Sequence, residues 1–330
     1  MREVTAPLFP AEFAGLEKLA RRTRHLPHEV EILPGDVGRR RYLRLIVDGE
    51  RSVIGVVYPA EEADARRRWN LARAALRERL RVPLLIADDQ GGNQIIEDFG
   101  RQDLAAKLVD PSAQRTRWLE HAVDSAAALA ELPDPRINPA FDAATFRREL
   151  DLAREAVFDL WLGAPLSSDE RRAHDAWADS LAREIAEHPR ALCHRDFHGN
   201  NIFPAGDRVG VIDFQDLRAG PDSYDLASLL WERSTLEWMT PEESRRQVSR
   251  FARRRGVAVD AFEQRLNRVL LQRAWKVCGT FARAVAQGRG EIYRQYLPAE
   301  IALVGRLLGS GPEDPAFRAV YEARLTPLLS

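Results

Sequence analysis

Apolar and polar positions in the first hundred residues fall into short runs of the kind that build strands. Val30 to Leu33, Tyr42 to Val47 and Arg51 to Tyr58 each read as a strand, the last rich in Val and Ile. Asp48-Gly49 sits between two of these runs. Both positions tolerate positive φ, which marks a tight hairpin turn. From Glu61 to Leu80 the period changes, and Trp69, Ala72, Leu76 and Leu80 fall on one face of a helix. Pro83 to Ala87 and Gln94 to Glu97 then form a second hairpin around Asp88-Asp89-Gln90-Gly91-Gly92.

Beyond Gly100 the pattern is almost wholly helical. Expected helices are Ser112 to Leu132, Ala144 to Leu162, Asp169 to Glu187, Tyr224 to Arg233, Glu242 to Arg254 and Ala261 to Ala286. Two starts are well marked: Ser167 with Glu170 fits a capping box, and Thr240-Pro241 places a cap before a proline at the first helical position. The chain therefore reads as two lobes, a small antiparallel β lobe with one helix over residues 1–98 and a larger, mainly helical lobe over 99–330. Glu97-Asp98-Phe99-Gly100 joins them. No repeat or low-complexity stretch is evident.

One exception to the helical pattern carries chemistry. His194-Arg195-Asp196-Phe197-His198-Gly199-Asn200-Asn201 is a polar run led in by Ala191-Leu192-Cys193. Twelve residues after Asn201, the short buried strand Val209 to Ile212 delivers Asp213-Phe214. The spacing H-R-D-x-x-x-x-N followed by D-F is that of a kinase-type catalytic loop and metal site. Phosphoryl transfer needs a carboxylate to orient the attacking hydroxyl and take its proton, and Asp196 is placed for that. It also needs magnesium, which prefers hard oxygen ligands, and Asn201 and Asp213 offer an amide oxygen and a second carboxylate.

Composition narrows the reading. At 330 residues, with 45% hydrophobic and 30% charged, the chain is an ordinary globular protein with room for two cores. A net charge of −1 supplies no field for nucleic acid or an acidic membrane. The two cysteines, Cys193 and Cys278, make neither a disulfide framework nor a zinc spacing. No apolar segment approaches the roughly 20 residues that span a bilayer. Met1 to Phe13 lacks a signal pattern. A cytoplasmic protein is the expectation. Nearly all the cationic residues are arginine, the lysines being Lys18, Lys107 and Lys276.

Over nearly its whole length the chain resembles the aminoglycoside phosphotransferase-like kinases. Within them it is most similar to the anomeric kinases of N-acetylmuramate and N-acetylglucosamine in cell-wall recycling. The residues that carry this are Gly35-Asp36-Val37-Gly38-Arg39-Arg40-Arg41-Tyr42-Leu43-Arg44, Ile96 to Gly100, His194 to Asn201, and Ile212-Asp213-Phe214-Gln215-Asp216 with Gly220-Pro221-Asp222-Ser223-Tyr224-Asp225-Leu226. The resemblance implies an α+β, bilobal protein-kinase-like fold that uses ATP and Mg2+. Asp196 would be the base, and Asn201 and Asp213 the metal ligands. Gly35, Asp36 and Gly38 would lie over the phosphates, and the backbone around Glu97 and Phe99 would meet adenine. Asp225 would hold the catalytic loop by accepting its N–H groups. His194 reads as a packed residue shaping that loop, while Arg195, His198 and Asp216 are candidates for touching the acceptor.

The strand Ser52 to Tyr58 departs from kinases in general by lacking the phosphate-binding lysine, as no lysine occurs from 19 to 106. The anomeric sugar kinases also lack it. An arginine among Arg40, Arg41 and Arg44 is expected to replace it, only some of which strand alternation can turn toward the nucleotide. The leading expectation is a sugar 1-kinase. A kinase of another small alcohol or of an aminoglycoside, and a nucleotide-binding pseudokinase scaffold, stay open. An acidic cleft for a cationic acceptor has candidates in Glu149, Asp151, Glu155 and Asp216. Asp151 and Glu155, interleaved with Arg147, Arg148 and Arg154, read instead as a solvated helix face. Nothing in the sequence marks the sugar-contacting residues or the oligomeric state.

Overall fold

Alternation in the first lobe builds a five-stranded antiparallel sheet. The computed structural model describes residues 9–34, 39–49, 51–110, 114–236, 238–288, 290–309, 311 and 314–329. Helix α1 (Ala14–Arg22) precedes β1 (Glu29–Leu33), β2 (Arg41–Asp48) and β3 (Arg51–Val57). A 3₁₀ turn leads into α2 (Ala63–Leu76), and β4 (Leu85–Asp88) and β5 (Asn93–Glu97) follow. The sheet order is β1-β2-β3-β5-β4. Gly49 turns the β2–β3 hairpin at φ 52°, as the Asp48-Gly49 pair demands.

The two faces of the sheet have different fates. Leu43, Leu45, Val53 and Ile95 pack with Leu16 and Leu19 of α1 in a core of their own. The alternate positions Val56 and Ile96 join Trp69 and Leu76 of α2 in a second, much larger core. That second core runs without interruption into the helical lobe through residues such as Leu129, Phe214 and Trp275. The backbone is stitched across the same boundary, since Arg81 forms a parallel bridge with Gly210 and its carbonyl accepts from Val211 N at 2.8 Å.

The second lobe contains α3 (Leu104–Val109), α4 (Gln114–Ala130), α5 (Ala143–Arg154), α6 (Ser168–Ala186), α7 (Tyr224–Leu230), α8 (Arg233–Leu236), α9 (Pro241–Arg254), α10 (Val259–Ala286), α11 (Glu291–Arg294), α12 (Leu297–Leu307) and α13 (Asp314–Arg324). Both expected caps are present: Ser167 and Glu170 form a reciprocal capping box, and Thr240 accepts from Glu243 N ahead of Pro241. Two expected helices end early. The one from Glu61 stops at Leu76, and the one from Tyr224 stops at Leu230 before a separate turn at α8. The run from Ala144 to Leu162 is α-helical to Arg154 and then a π-helix over Glu155–Trp161.

Four short strands interrupt the helices. β6 (Arg190–Cys193) pairs with β9 (Arg218–Pro221), and β7 (Ile202–Ala205) with β8 (Arg208–Val211). β6 and β9 flank the His194–Asp213 segment, and β7 and β8 lie within it. Among the described residues, no helix is long and apolar enough to cross a membrane.

Close approach of α5 and α10 depends on Gly279, where an added Cβ would overlap Ala153 backbone. Gly279→Ala would gain about 1 kcal/mol of helix propensity, but overpacking costs about 1–3 kcal/mol. The expected net result is a lower melting temperature in a thermal melt. A higher one would mean that the two helices are not so closely apposed.

Candidate active site

A cavity of about 310 Å³ lies between the sheet and the helical lobe. Ile54 and Ile96 come from the sheet side, and Phe203 and Ile212 from the other. This apolar slot suits a flat heteroaromatic ring. Glu97, Asp98, Phe99 and Gly100 form one wall.

The linker side chains are bound into the lobes. Glu97 pairs with Arg81 and accepts from Leu84 N at 3.1 Å. Phe99 lies under the Arg81 guanidinium, 5.0 Å from its ring centre, and packs where a Cβ at Gly210 would fall. Asp98 accepts from Arg44 Nε at 2.6 Å, Ser52 Oγ at 2.6 Å and Gly100 N at 2.8 Å. Burial works against its charge, but these donors outweigh it and hold the carboxyl below the usual range. Arg44, which also donates to Gly100 O at 2.9 Å, is therefore a clamp on the linker.

This corrects part of the arginine expectation. Tyr42 and Arg44 line the cleft. Arg41 is exposed and is set by alternation on the side of Leu43 and Leu45, away from the cleft. Arg44 faces the cleft, but its charge is engaged by Asp98. Arg40 is the remaining candidate, and it lines the cavity. It lies 3.5 Å from Glu62, and its Nη1 is buried without a hydrogen-bond partner. Burial disfavours its charge, yet Tyr42, Asp213, Tyr58 and Glu62 together hold the guanidinium above its ordinary value. Gly35, Asp36 and Gly38 lie outside the described residues.

On the opposite wall, β6 leads into the loop that carries Asp196. Asp225, buried in the first turn of α7, accepts from His194 N at 2.7 Å and Arg195 N at 3.0 Å. Burial pushes its carboxyl up despite these donors and His194. His194 is buried, edge-on to Phe197. Its Nε2 donates to Ile212 O at 2.8 Å, which fixes the position of that proton. The catalytic-loop segment is thereby tied to the end of β8 that carries Asp213.

Within the loop, His198 N donates to Asp196 O at 3.0 Å, and Asn201 N donates to His198 O at 2.9 Å. Asn201 Nδ2 donates to Asp196 O at 2.9 Å. Arg195 and Asp213 have φ of 83° and 60°, conformations that cost a non-glycine residue about 1–3 kcal/mol. The hydrogen bonds around them offset that strain. Phe214 stacks on Trp69 of α2 at 5.5 Å, which seats the residue after Asp213 against the first lobe.

The donor set fits magnesium. Asn201 and Asp213 line the same cavity. The Asn201 amide nitrogen is engaged by Asp196 O, so its oxygen is the atom offered to a ligand. Gln215 Nε2 orients Asp213 through Oδ1 at 2.8 Å. Hard oxygens of this kind suit Mg2+. A second cluster, Asp151 with His174 and Asp175, is occupied differently, since Arg147 pairs with both carboxylates.

The Asp196 carboxylate sits among charges from other elements. Burial would raise its pKa, but Lys276 and Arg273 of α10, with His194 and Arg195, hold it below the ordinary range. Arg195 lies 3.9 Å from both Glu149 and Asp216. Arg218, whose guanidinium lies 5.3 Å from the Phe141 ring, is in the same neighbourhood. The acidic-helix reading divides here. Asp151 and Glu155 are on the outer face, 42% and 46% exposed, whereas Glu149 is 12% exposed and faces Lys276. Sequence reasoning missed Lys276 and Arg273; it named Glu149, but only as part of an acidic cleft and not as the partner of a lysine. A signal existed for one of them: Lys276 is a rare lysine in a mostly apolar helical run.

Residues 29–269 match the model of the family described as "Phosphotransferase enzyme family". The chain is 29% identical over 306 residues to the N-acetylmuramate/N-acetylglucosamine kinase of Pseudomonas aeruginosa, covering 86% of this chain and 89% of that one. It is 28% identical over 273 residues to the protein of the same description from Neisseria meningitidis serogroup B, covering 80% of each. A choline/ethanolamine kinase family protein from Mesorhizobium loti shares its fold, with a TM-score of 0.61 at 14% identity over 94% of this chain and 99% of that chain.

Proposed function

The chain belongs to the phosphotransferase enzyme family, and we propose that it is an ATP- and magnesium-dependent kinase that phosphorylates an amino sugar, N-acetylglucosamine or N-acetylmuramate, at its anomeric hydroxyl. In this reading residues 1–98 are the nucleotide-binding lobe and 99–330 the catalytic and substrate lobe. The observation that carries the chemistry is that Asn201 and Asp213 line one cleft while Asn201 Nδ2 is bonded to the carbonyl of Asp196. The two curated relatives named above support the choice of acceptor.

Adenine would occupy the slot between Ile54 and Ile96 on one side and Phe203 and Ile212 on the other. Asn201 and Asp213 would hold Mg2+, which when bound neutralises phosphate oxygens. Arg40 takes the place of the strand lysine, since its planar fork can grip two phosphate oxygens at once. Asp196 orients the acceptor hydroxyl toward the γ-phosphorus and takes its proton as the new O–P bond forms and the bond to ADP breaks. An anomeric hydroxyl is more acidic than other sugar hydroxyls, so a carboxylate held ionised is a sufficient base. Transfer through a loose transition state asks for positioning more than basicity. Arg195, Arg273 and Lys276 near Asp196 disfavour a polycationic aminoglycoside as acceptor.

ATP turnover with a panel of amino sugars, followed by phosphorus NMR, tests the reading. The expected product shows phosphorus coupled to the anomeric proton. Phosphate on the 6-hydroxyl, or good turnover of methyl glycosides blocked at the anomeric oxygen, would overturn the position while leaving a kinase. Arg40→Ala is expected to raise the KM for ATP roughly 10- to 100-fold, the loss of a charged contact. Arg41→Ala should leave it within about twofold, because Arg41 is a surface residue. Equal effects in steady-state kinetics would count against this assignment of the two arginines.

A further inference from the structure

Lys276 projects from α10 into the region where that helix, α5 and the catalytic loop converge. Its ammonium is 3.3 Å from Glu149 Oε1 on α5. Glu149 also accepts from Gln272 Nε2 at 2.8 Å and lies 3.9 Å from Arg195. Arg273, one turn before Lys276, donates to Arg195 O at 3.2 Å and rests 4.6 Å over the Tyr224 ring. Glu149 is thus fixed from two elements and holds the lysine in turn.

An ammonium has three donor hydrogens. Among the described residues, Glu149 is the one carboxylate within 4.0 Å of Lys276, and the lysine side chain remains 29% exposed. Lys276 faces Asp196 closely enough for each charge to favour the other, yet the two make no direct ion pair. A hydroxylated acceptor held between this base and this partly exposed ammonium would meet both. Its attacking hydroxyl would point at Asp196, a neighbouring oxygen would accept from Lys276, and a second hydroxyl would donate to Glu149.

We propose that Lys276 and Glu149 form the acceptor subsite and select a neutral or anionic, oxygen-rich acceptor such as a sugar over a cationic amino alcohol. This rests on the kinase reading above. An ion pair that merely ties α10 to α5 is the competing explanation. Removing such a tie would lower stability and disturb nucleotide and acceptor alike.

The test compares Lys276→Met, Lys276→Arg and Glu149→Gln with the wild-type full chain. Steady-state kinetics vary ATP and N-acetylglucosamine separately, and a thermal melt is run in parallel. Lys276→Met is expected to lower kcat/KM for the sugar roughly 10- to 100-fold, with the KM for ATP within about twofold of wild type and the melting temperature little changed. Lys276→Arg should recover part of the loss, and Glu149→Gln should fall between. An unchanged kcat/KM for the sugar, or equal losses in sugar, ATP and stability, would overturn the subsite. If the wild type phosphorylates no amino sugar, the proposed reaction fails first, and the same variants are compared on the alcohol it does use. A cationic amino alcohol as best substrate, unharmed by Lys276→Met, would then defeat the subsite as well.

Discussion

Asp196→Asn is expected to lower turnover by roughly 10²–10⁴, the range for loss of a general base, while Mg-ATP binds as in the wild type. The substitution keeps the size of the side chain and leaves the Asp196 carbonyl, which accepts from Asn201 and His198, unchanged. The loop should therefore stay folded around Asp225. On the proposed mechanism, what is lost is the acceptor for the hydroxyl proton. The remaining activity measures how far positioning and charge neutralisation carry the reaction alone. Steady-state turnover with calorimetric titration of Mg-ATP decides the matter. Near-wild-type turnover would remove Asp196 from the mechanism.

Asp213→Ala should act on a different step, weakening Mg-ATP binding and lowering turnover together, the latter by roughly 10²–10³ as for loss of one preorganised electrostatic contact. Asp213 faces Arg40 and accepts from Gln215, so its removal also leaves the Arg40 guanidinium with Glu62 as its remaining carboxylate partner. Alanine at φ 60° adds backbone strain that Asp tolerates better. Asp213→Asn is the control, because it keeps that tolerance and an oxygen for Gln215 while removing the charge. If both variants bind Mg-ATP as tightly as the wild type by titration, Asp213 is not a metal ligand.

The parts of this molecule that sequence reasoning reached are those where chemistry or turn geometry leaves little choice. Asp48-Gly49 marks its hairpin because few residues accept positive φ there. The Asp196, Asn201 and Asp213 spacing is visible because phosphoryl transfer demands those residue types. Arg40 could not be separated from Arg41 and Arg44 without knowing which face of β2 meets the cleft, and that depends on how the whole sheet is placed. Glu149 and Lys276 meet across 127 residues of chain. Periodicity puts each on a helix but does not say which face looks inward. The short α1 and the C-terminal α11 to α13 escaped notice for a related reason. Their stability comes from docking against partners distant in sequence, such as Leu16 of α1 against Gly55 of β3, more than from their own propensity.

The uninterrupted core beneath the linker has one more consequence. Heat meets no seam between the two lobes. Val56, Ile96 and the α2 side chains share their apolar neighbours with the helical half, and the Arg81–Gly210 bridge holds backbone to backbone across the join. Cutting the chain at the linker would expose parts of a common interior to water on both sides. The chain is accordingly divided for chemistry but undivided for melting, with a single cooperative transition where a jointed enzyme would show two.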